Sequence, residues 1–115
     1  MQGLIFSVSG ARGVVGKGID PLVLTSLGAH FGAWLGKGTV VVGRDSRISG
    51  EMARGAVVSG LMGAGCDVVD LGIVPTPTVG LAVRKLGALG GIQISASHNP
   101  AEWNALKFMS SRGIF

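Results

Sequence analysis

The stretch TVVVGRDSR, residues 39–47, decides the fold because it joins a continuous apolar run directly to a charged loop. Residues 39–42 are all β-branched, which is typical of a strand buried on both faces between layers of helices. Polar residues that follow such a strand lie at its carboxyl end, where open α/β sheets bind their ligands. The stretch therefore predicts an α/β sheet with a charged edge.

Helical and extended patterns alternate on both sides of this stretch. Extended patterns cover residues 4–8, 67–71 and 91–95. Helical patterns cover residues 20–34, 50–64 and 76–86. A turn-rich segment, residues 9–18, separates the first strand from the first helix, which opens on a capping aspartate followed by proline. The alternation predicts an α/β fold, a three-layer α/β/α domain with helices on both faces of a four-stranded sheet.

Length and composition exclude several classes of protein. A chain of 115 residues forms one domain at most, and 47% hydrophobic with 14% charged residues excludes intrinsic disorder. The 21 glycines follow no collagen period, and no apolar run is long enough to span a membrane. The lone Cys66 fits a reducing compartment, and no secretory signal is visible. We therefore expect a cytoplasmic protein with no membrane partner.

The net charge of +4 points to an anionic ligand, and the distribution of the ten basic residues indicates which kind. No basic run exceeds the pair Arg84 and Lys85, and no basic segment is interleaved with aromatic residues, which argues against a nucleic-acid partner. Four cations lie singly in glycine- or serine-bearing segments: Arg12, Arg44, Arg47 and Lys107. This dispersal favours one small anion.

The segment SASHNP, residues 95–100, carries the candidate chemistry because it follows the last predicted strand. Walker A, dinucleotide-binding and nucleophile-elbow motifs are absent from the sequence, and two histidines with one cysteine make a zinc site improbable. A serine beside an imidazole, with no acidic residue to orient it, fits a phosphate acceptor better than a protease nucleophile. This interpretation makes Ser97 the acceptor; the alternative is a structural turn serine.

Two further alternatives concern the charged residues around this segment. Arg44 and Arg47 can form a purely structural ion-pair cluster with Asp45. His98 can hold its loop through a backbone hydrogen bond rather than move a proton.

Four sequence blocks together resemble the first domain of the phosphohexose mutases, the phosphoglucomutase/phosphomannomutase family. In chain order they are SGARG at 9–13, GRDSR at 43–47, PTP at 75–77, and SASHNP at 95–100 followed by Asn104 and Lys107. The resemblance spans essentially the whole chain, and the last block is the most specific. It further implies a mixed sheet whose last strand is antiparallel.

Three departures from the family pattern stand out. Ser95 takes the place of a usual threonine and keeps its hydroxyl, and Ser7 with Val8 replaces a usual glycine-threonine pair. Ala105 replaces the glycine of the usual N-G-x-K motif, and the resulting segment WNALK, residues 103–107, is similar to a subgroup assigned as phosphoglucosamine mutases.

The resemblance implies a role for each matching residue. Ser97 is the expected phosphoserine, and a magnesium ion is expected on its phosphate with the other ligands outside this chain. Lys107 and Arg12 balance the charge of the transferring group, and His98 assists proton transfer at the sugar hydroxyl. Phosphate binding or loop support falls to six further residues: Ser9, Gly10, Arg44, Arg47, Asn99 and Asn104.

The resemblance also implies an activity. The family moves phosphate between the 1- and 6-positions of a hexose phosphate through a hexose 1,6-bisphosphate, and the sugar can be glucosamine, glucose or mannose. The chain is expected to be a fragment, residues 1–115, of a four-domain enzyme whose remaining domains bind metal and sugar. On its own it should catalyse no turnover. The competing hypothesis is a non-catalytic module that binds phosphate or a nucleotide.

Overall fold

The computed structural model describes residues 4–7, 10–96 and 99–114, so Ser9, Ser97 and His98 lie outside the described residues. Within them the chain forms six strands and three helices. In chain order these are β1 (Leu4–Ser7), β2 (Gly10–Val14), α1 (Pro21–Leu35), β3 (Thr39–Arg44), α2 (Gly50–Gly63), β4 (Asp67–Ile73), α3 (Thr76–Leu86), β5 (Gly90–Ile94) and β6 (Trp103–Met109).

All six strands belong to one mixed sheet, in the order β1-β2-β6-β5-β3-β4. Strand β3 pairs in parallel with β4 and β5, whereas β6 is antiparallel to both β5 and β2. The predicted α/β class and the mixed sheet are confirmed. The last strand of the sheet, β6, is antiparallel, but the last strand that the sequence patterns predicted, β5, is parallel to β3.

The sheet has two more strands than the sequence patterns predicted. Strand β2 falls in the segment interpreted as turn-rich, yet it is paired on both sides, with β1 and with β6. Its glycines reflect close backbone approach: Gly10 has a φ of 123°, and a Cβ there would overlap the carbonyl oxygen of Leu106. Strand β6 has no strict alternation because it is largely buried on both faces, so it gave no strand signal.

Strand β3 is buried on both faces, as its valines predicted. Val40 and Val42 pack in a cluster with residues of α1 and α2, and Val41 packs on the other face with Val79 and Val83 of α3. All three strand valines are 0% exposed. Helices α1 and α2 therefore form one outer layer and α3 the other.

Helices α1 and α2 lie unusually close because glycines occupy their contact. A Cβ on Gly28 would lie 2.6 Å from the carbonyl oxygen of Val57, and one on Gly60 would overlap the carbonyl oxygen of Thr25. Neither position can carry a side chain without separating the helices. We call this contact the helix pair.

Strands β2, β3 and β5 end, and β6 begins, at the same edge of the sheet. This edge, which we call the site edge, also carries residues 45–49 ahead of α2 and the described residues between β5 and β6, 95–96 and 99–102, which we call the β5–β6 loop. None of the helices in the described residues has the length and hydropathy needed to cross a membrane.

Candidate functional site

The guanidinium of Arg47 holds the described end of the β5–β6 loop at the site edge. Its NH1 nitrogen donates to the carbonyl oxygen of Pro100 at 2.7 Å and to that of Trp103 at 3.2 Å. Its NH2 nitrogen donates to the carbonyl oxygen of Asn99 at 2.9 Å. Since these acceptors lie 52 to 56 residues away in sequence, one side chain fixes two distant segments together.

Asp45 orients Arg47. One carboxylate oxygen accepts from the Arg47 backbone N–H at 3.1 Å, and the other accepts from Nε at 3.2 Å. The Asp45 backbone N–H donates to the carbonyl oxygen of Ile94, so the segment is itself anchored on β5. The charge of Arg47 is thereby neutralised within its own loop.

Asn104 anchors the start of β6 to the segment ahead of α2. Its Nδ2 donates to the hydroxyl oxygen of Ser49 at 2.8 Å, and its Oδ1 accepts from the Ala105 N–H. Asn104 is 1% exposed, so these bonds are shielded from water. Ser49 stands at the N-cap of α2 without capping it, and its hydroxyl oxygen accepts from Asn104. Ser49 was not among the predicted site residues. The available signal was a serine directly before a predicted helix, where a hydroxyl is expected to make a hydrogen bond.

Arg44 is the last residue of β3, and its side chain contacts the start of α2 rather than the β5–β6 loop. Its NH2 nitrogen lies 3.4 Å from a carboxylate oxygen of Glu51, and its NH1 donates to the Asp45 carbonyl oxygen at 3.3 Å. The described contacts of Arg44 are thus those of a structural cation, whereas those of Arg47 reach the candidate site.

Arg12 and Lys107 lie on neighbouring strands, on the same face of the sheet. Arg12 on β2 is opposite Ala105 on β6, and Lys107 is two residues further along β6. Residues two apart on a strand point the same way, so the two cations are diagonal neighbours. The glycine- or serine-bearing segments in which both were predicted as dispersed cations form strands β2 and β6. Arg12 is exposed, and among the described residues no carboxylate lies within ion-pair distance of it.

A buried glutamine lies beside Lys107 on β5. Gln93 pairs with Lys107 across the strands, and its Nε2 donates to the Val74 carbonyl oxygen at 2.9 Å. Its Oε1 has no hydrogen-bond partner among the described residues. The same face of the sheet thus carries a buried polar group next to the two cations.

The described chain on either side of Ser97 and His98 is held in place. The Ser95 N–H donates to the Ala105 carbonyl oxygen, and the Asn99 N–H donates to the Ala96 carbonyl oxygen, each at 3.0 Å. Ser95 is only 8% exposed, so a phosphoryl group would have little room on its hydroxyl oxygen. Of the predicted site residues, the structure brings Gly10, Arg12, Arg44, Arg47, Asn99, Asn104 and Lys107 to the site edge or the strands that reach it, although the Arg44 side chain contacts Glu51 of α2. Ser9, Ser97 and His98 lie outside the described residues.

The described residues contain no group of three or more histidine, cysteine, aspartate or glutamate side chains that could hold a metal ion. The site edge instead offers a guanidinium, a lysine and a firmly held loop. Such an arrangement suits an oxyanion whose charge is balanced by cations.

Comparison with known proteins gives one consistent family. The family model described as "Phosphoglucomutase/phosphomannomutase, alpha/beta/alpha domain I" matches residues 3–115. A Methanopyrus kandleri protein named "Probable phosphoglucosamine mutase" is 48% identical over 98% of this chain and 25% of its own length. A Thermococcus kodakarensis protein named phosphoglucomutase/phosphomannomutase is 43% identical over 98% of this chain and 26% of its own length.

Solved structures agree with the sequence relatives. The crystal structure of a phosphoglucomutase/phosphomannomutase family protein from Burkholderia thailandensis superposes with a TM-score of 0.87 at 38% identity. The match covers 96% of this chain and 27% of that one. The chain thus spans about a quarter of the length of the curated relatives it matches.

Proposed function

The chain belongs to the phosphoglucomutase/phosphomannomutase family as its α/β/α domain I, and from that premise we propose that it is the phosphoserine-bearing domain of a phosphohexose mutase. The observation that carries the proposal is the firmly held β5–β6 loop. Arg47 and Asn104 anchor the segment that follows Ser97, and Arg12 and Lys107 lie on the two strands beside it.

In the proposed reaction Ser97 carries a phosphoryl group and transfers it to a free hydroxyl of the sugar phosphate. The bond from phosphorus to the serine oxygen breaks as a bond from phosphorus to the sugar oxygen forms. The hydroxyl proton passes to His98, and the departing serine oxygen takes up a proton in return, so that Ser97 is left as a hydroxyl. The resulting hexose 1,6-bisphosphate reorients and returns its other phosphate to Ser97. The covalent carrier thus replaces one difficult transfer, from one sugar position to the other, by two easier steps.

Lys107 and Arg12 are the proposed partners of the transferring group. Phosphoryl transfer depends on positioning and on stabilising charge at the oxygens of the moving group. The two cations share one face of adjoining strands, so both can address one phosphate. Arg12 is exposed and therefore open to a substrate that approaches from outside this domain.

Magnesium fits this chain only through the phosphate of Ser97. The described residues provide no carboxylate cluster, so the remaining ligands would come from other domains of the same polypeptide. Bound there, the ion would withdraw negative charge from the phosphoryl oxygens.

The sugar is proposed from the relatives. Several are named for phosphoglucosamine and another for phosphoglucose and phosphomannose chemistry, so glucosamine phosphate is the first substrate to test. We place the protein in the cytoplasm, where a lone buried cysteine stays reduced.

The proposal is tested by turnover in the full-length protein that carries this domain. Ser97→Ala should abolish conversion of hexose 1-phosphate to 6-phosphate because the relay has no second acceptor. Ser95→Ala is the matched control and should cost the value of one hydrogen bond, about 1 kcal/mol. Equal turnover of wild type and the Ser97 variant would overturn the proposal. The 115-residue chain alone should bind phosphate weakly and show no turnover; measurable turnover would mean that the other domains are dispensable.

A further inference from the structure

Arg47 is the side chain with the most described long-range contacts at the site edge. Three of its bonds go to backbone carbonyl oxygens of Asn99, Pro100 and Trp103, and its side chain is only 14% exposed. A further bond, from Nε, goes to Asp45. Its donors are therefore directed at the protein itself rather than outward to solvent.

We propose that Arg47, oriented by Asp45, is a positioning residue that fixes the segment immediately after Ser97 and His98, and so sets where the phosphoserine stands. This inference rests on the proposed function. Arg47 acts through loop carbonyls and not as a phosphate ligand, which separates it from Arg12 and Lys107. The guanidinium of Arg47 donates to backbone carbonyl oxygens, whereas Arg12 and Lys107 are the proposed partners of the phosphoryl group.

Geometry explains why an arginine is needed. A guanidinium is planar and presents five N–H donors in a fixed fork, so it can address three carbonyls and a carboxylate at once. A lysine ammonium has three donors on a flexible stem and cannot span the same acceptors in one fixed arrangement. Among the described residues of the loop, 95–96 and 99–102, none lies in a helix or strand, so side-chain bonds must supply the rigidity of this part.

Rigidity at this place has a direct kinetic consequence. Phosphoryl transfer requires the attacking and leaving oxygens to be aligned, and a misplacement of about 1 Å can cost about 100-fold in rate. Loss of Arg47 should therefore lower kcat and change KM little, since the groups proposed to bind the sugar phosphate remain.

The test compares Arg47→Ala and Arg47→Lys with Arg54→Ala in the full-length protein. Arg54 is a matched control because it pairs with Glu51 and Asp70 on the outside of α2 and β4. In Arg47→Ala, hydrogen exchange of the Asn99 and Trp103 amides should accelerate at least about tenfold and kcat should fall about 100-fold. KM should stay within about threefold, and added guanidinium should restore part of kcat.

Arg47→Lys should keep the fold and still lose most of kcat, because charge alone does not replace the fork. It also decides the matter if Arg47→Ala fails to fold. Exchange at Asn99 and Trp103 and kcat indistinguishable from those of Arg54→Ala would overturn the inference. A rise in KM with unchanged kcat would overturn it too, since it would make Arg47 a phosphate ligand.

Failure of the proposed function has a different signature. If the wild-type protein carries no phosphate on Ser97 and shows no turnover, the proposed function is wrong, yet the exchange measurement still decides whether Arg47 holds the loop. If wild type turns over and Arg47→Ala exchanges and turns over normally, only the positioning role is wrong.

Discussion

The helix pair and the site edge both join segments distant in sequence, by opposite means. At the helix pair the side chains are missing: Gly28 and Gly60 let the backbones of α1 and α2 approach until no Cβ fits. At the site edge one long side chain, Arg47, reaches across the gap with directed hydrogen bonds. The first contact depends on volume and the second on donor geometry, so different substitutions should break each.

The two regions also divide stability and function. The helix pair consists of glycines packed on the backbone of the neighbouring helix and includes none of the predicted site residues, so its loss should unfold the domain without altering the chemistry of the folded fraction. The site edge is polar and contributes few of the buried apolar residues. Its disruption should impair activity more than stability.

The largest effect on stability is expected at the helix pair. Gly60→Ala should destabilise the domain by about 3 kcal/mol, because its Cβ meets rigid backbone of α1 rather than a movable side chain. Gly55→Ala, in the same helix with open space around it, should stabilise by about 0.5–1 kcal/mol. Urea unfolding of both variants measures the difference. Equal and small shifts would show that the helices can separate at little cost.

A smaller loss is expected where the site edge meets α2. Asn104→Ala removes two buried hydrogen bonds and should cost about 1–3 kcal/mol. Ser49→Ala removes only the acceptor and should cost about 1 kcal/mol. A double-mutant cycle of the two checks this; complete additivity would mean that the bond between them contributes nothing.

The surface ion pairs of α2, outside both regions, should contribute little to stability. Arg54 pairs with Glu51, which is 65% exposed, and with Asp70. The hydrogen bond to Glu51 is the main cause of the raised pKa of Arg54. Because exposed pairs are screened, Arg54→Ala should change the free energy of unfolding by about 0–1 kcal/mol and should lose that effect at high salt. A larger, salt-independent loss would point to packing of its stem.

The smallest effect on the free energy of unfolding at neutral pH is expected from the ionisation of Cys66, which packs beside Gly32 of α1. Burial, and to a lesser degree Asp67, raises the pKa of its thiol above 9.0. The folded protein therefore holds this proton more tightly than the unfolded chain, so the contribution is intact below about pH 9 and is lost as pH rises through the folded pKa. Cys66→Ala should make unfolding less sensitive to alkaline pH. An unchanged alkaline slope in this variant would mean that the thiol ionises equally in both states.

Sequence reasoning succeeded where periodicity is controlled by burial. The valines of β3 and the capping Asp20 with Pro21 predicted strand and helix starts that the structure confirms. Asp20 does cap α1, accepting from the Val23 N–H at 2.9 Å. Local pattern suffices for such elements because each is determined by the residues within it.

Sequence reasoning failed where a residue's conformation depends on a contact with a residue far away in the chain. Strand β2 has the composition of a turn because Gly10 must leave room for the backbone of Leu106. No residue near Gly10 in the sequence indicates this contact. The sequence left two alternatives for Arg47, support of the β5–β6 loop or a local ion pair with Asp45. The structure shows both contacts. Ser49 was missed because its partner lies 55 residues away.

The central claim is that this domain presents Ser97 as a covalent phosphate carrier. Peptide mapping by mass spectrometry of the full-length protein, purified without phosphatase treatment, tests it most directly. We predict one phosphoryl group on the peptide that contains Ser97, lost on incubation with excess hexose monophosphate and restored by hexose 1,6-bisphosphate. Phosphate on the buried Ser95, or on Ser110 or Ser111 at the opposite edge of the sheet, with Ser97 unmodified, would contradict the claim.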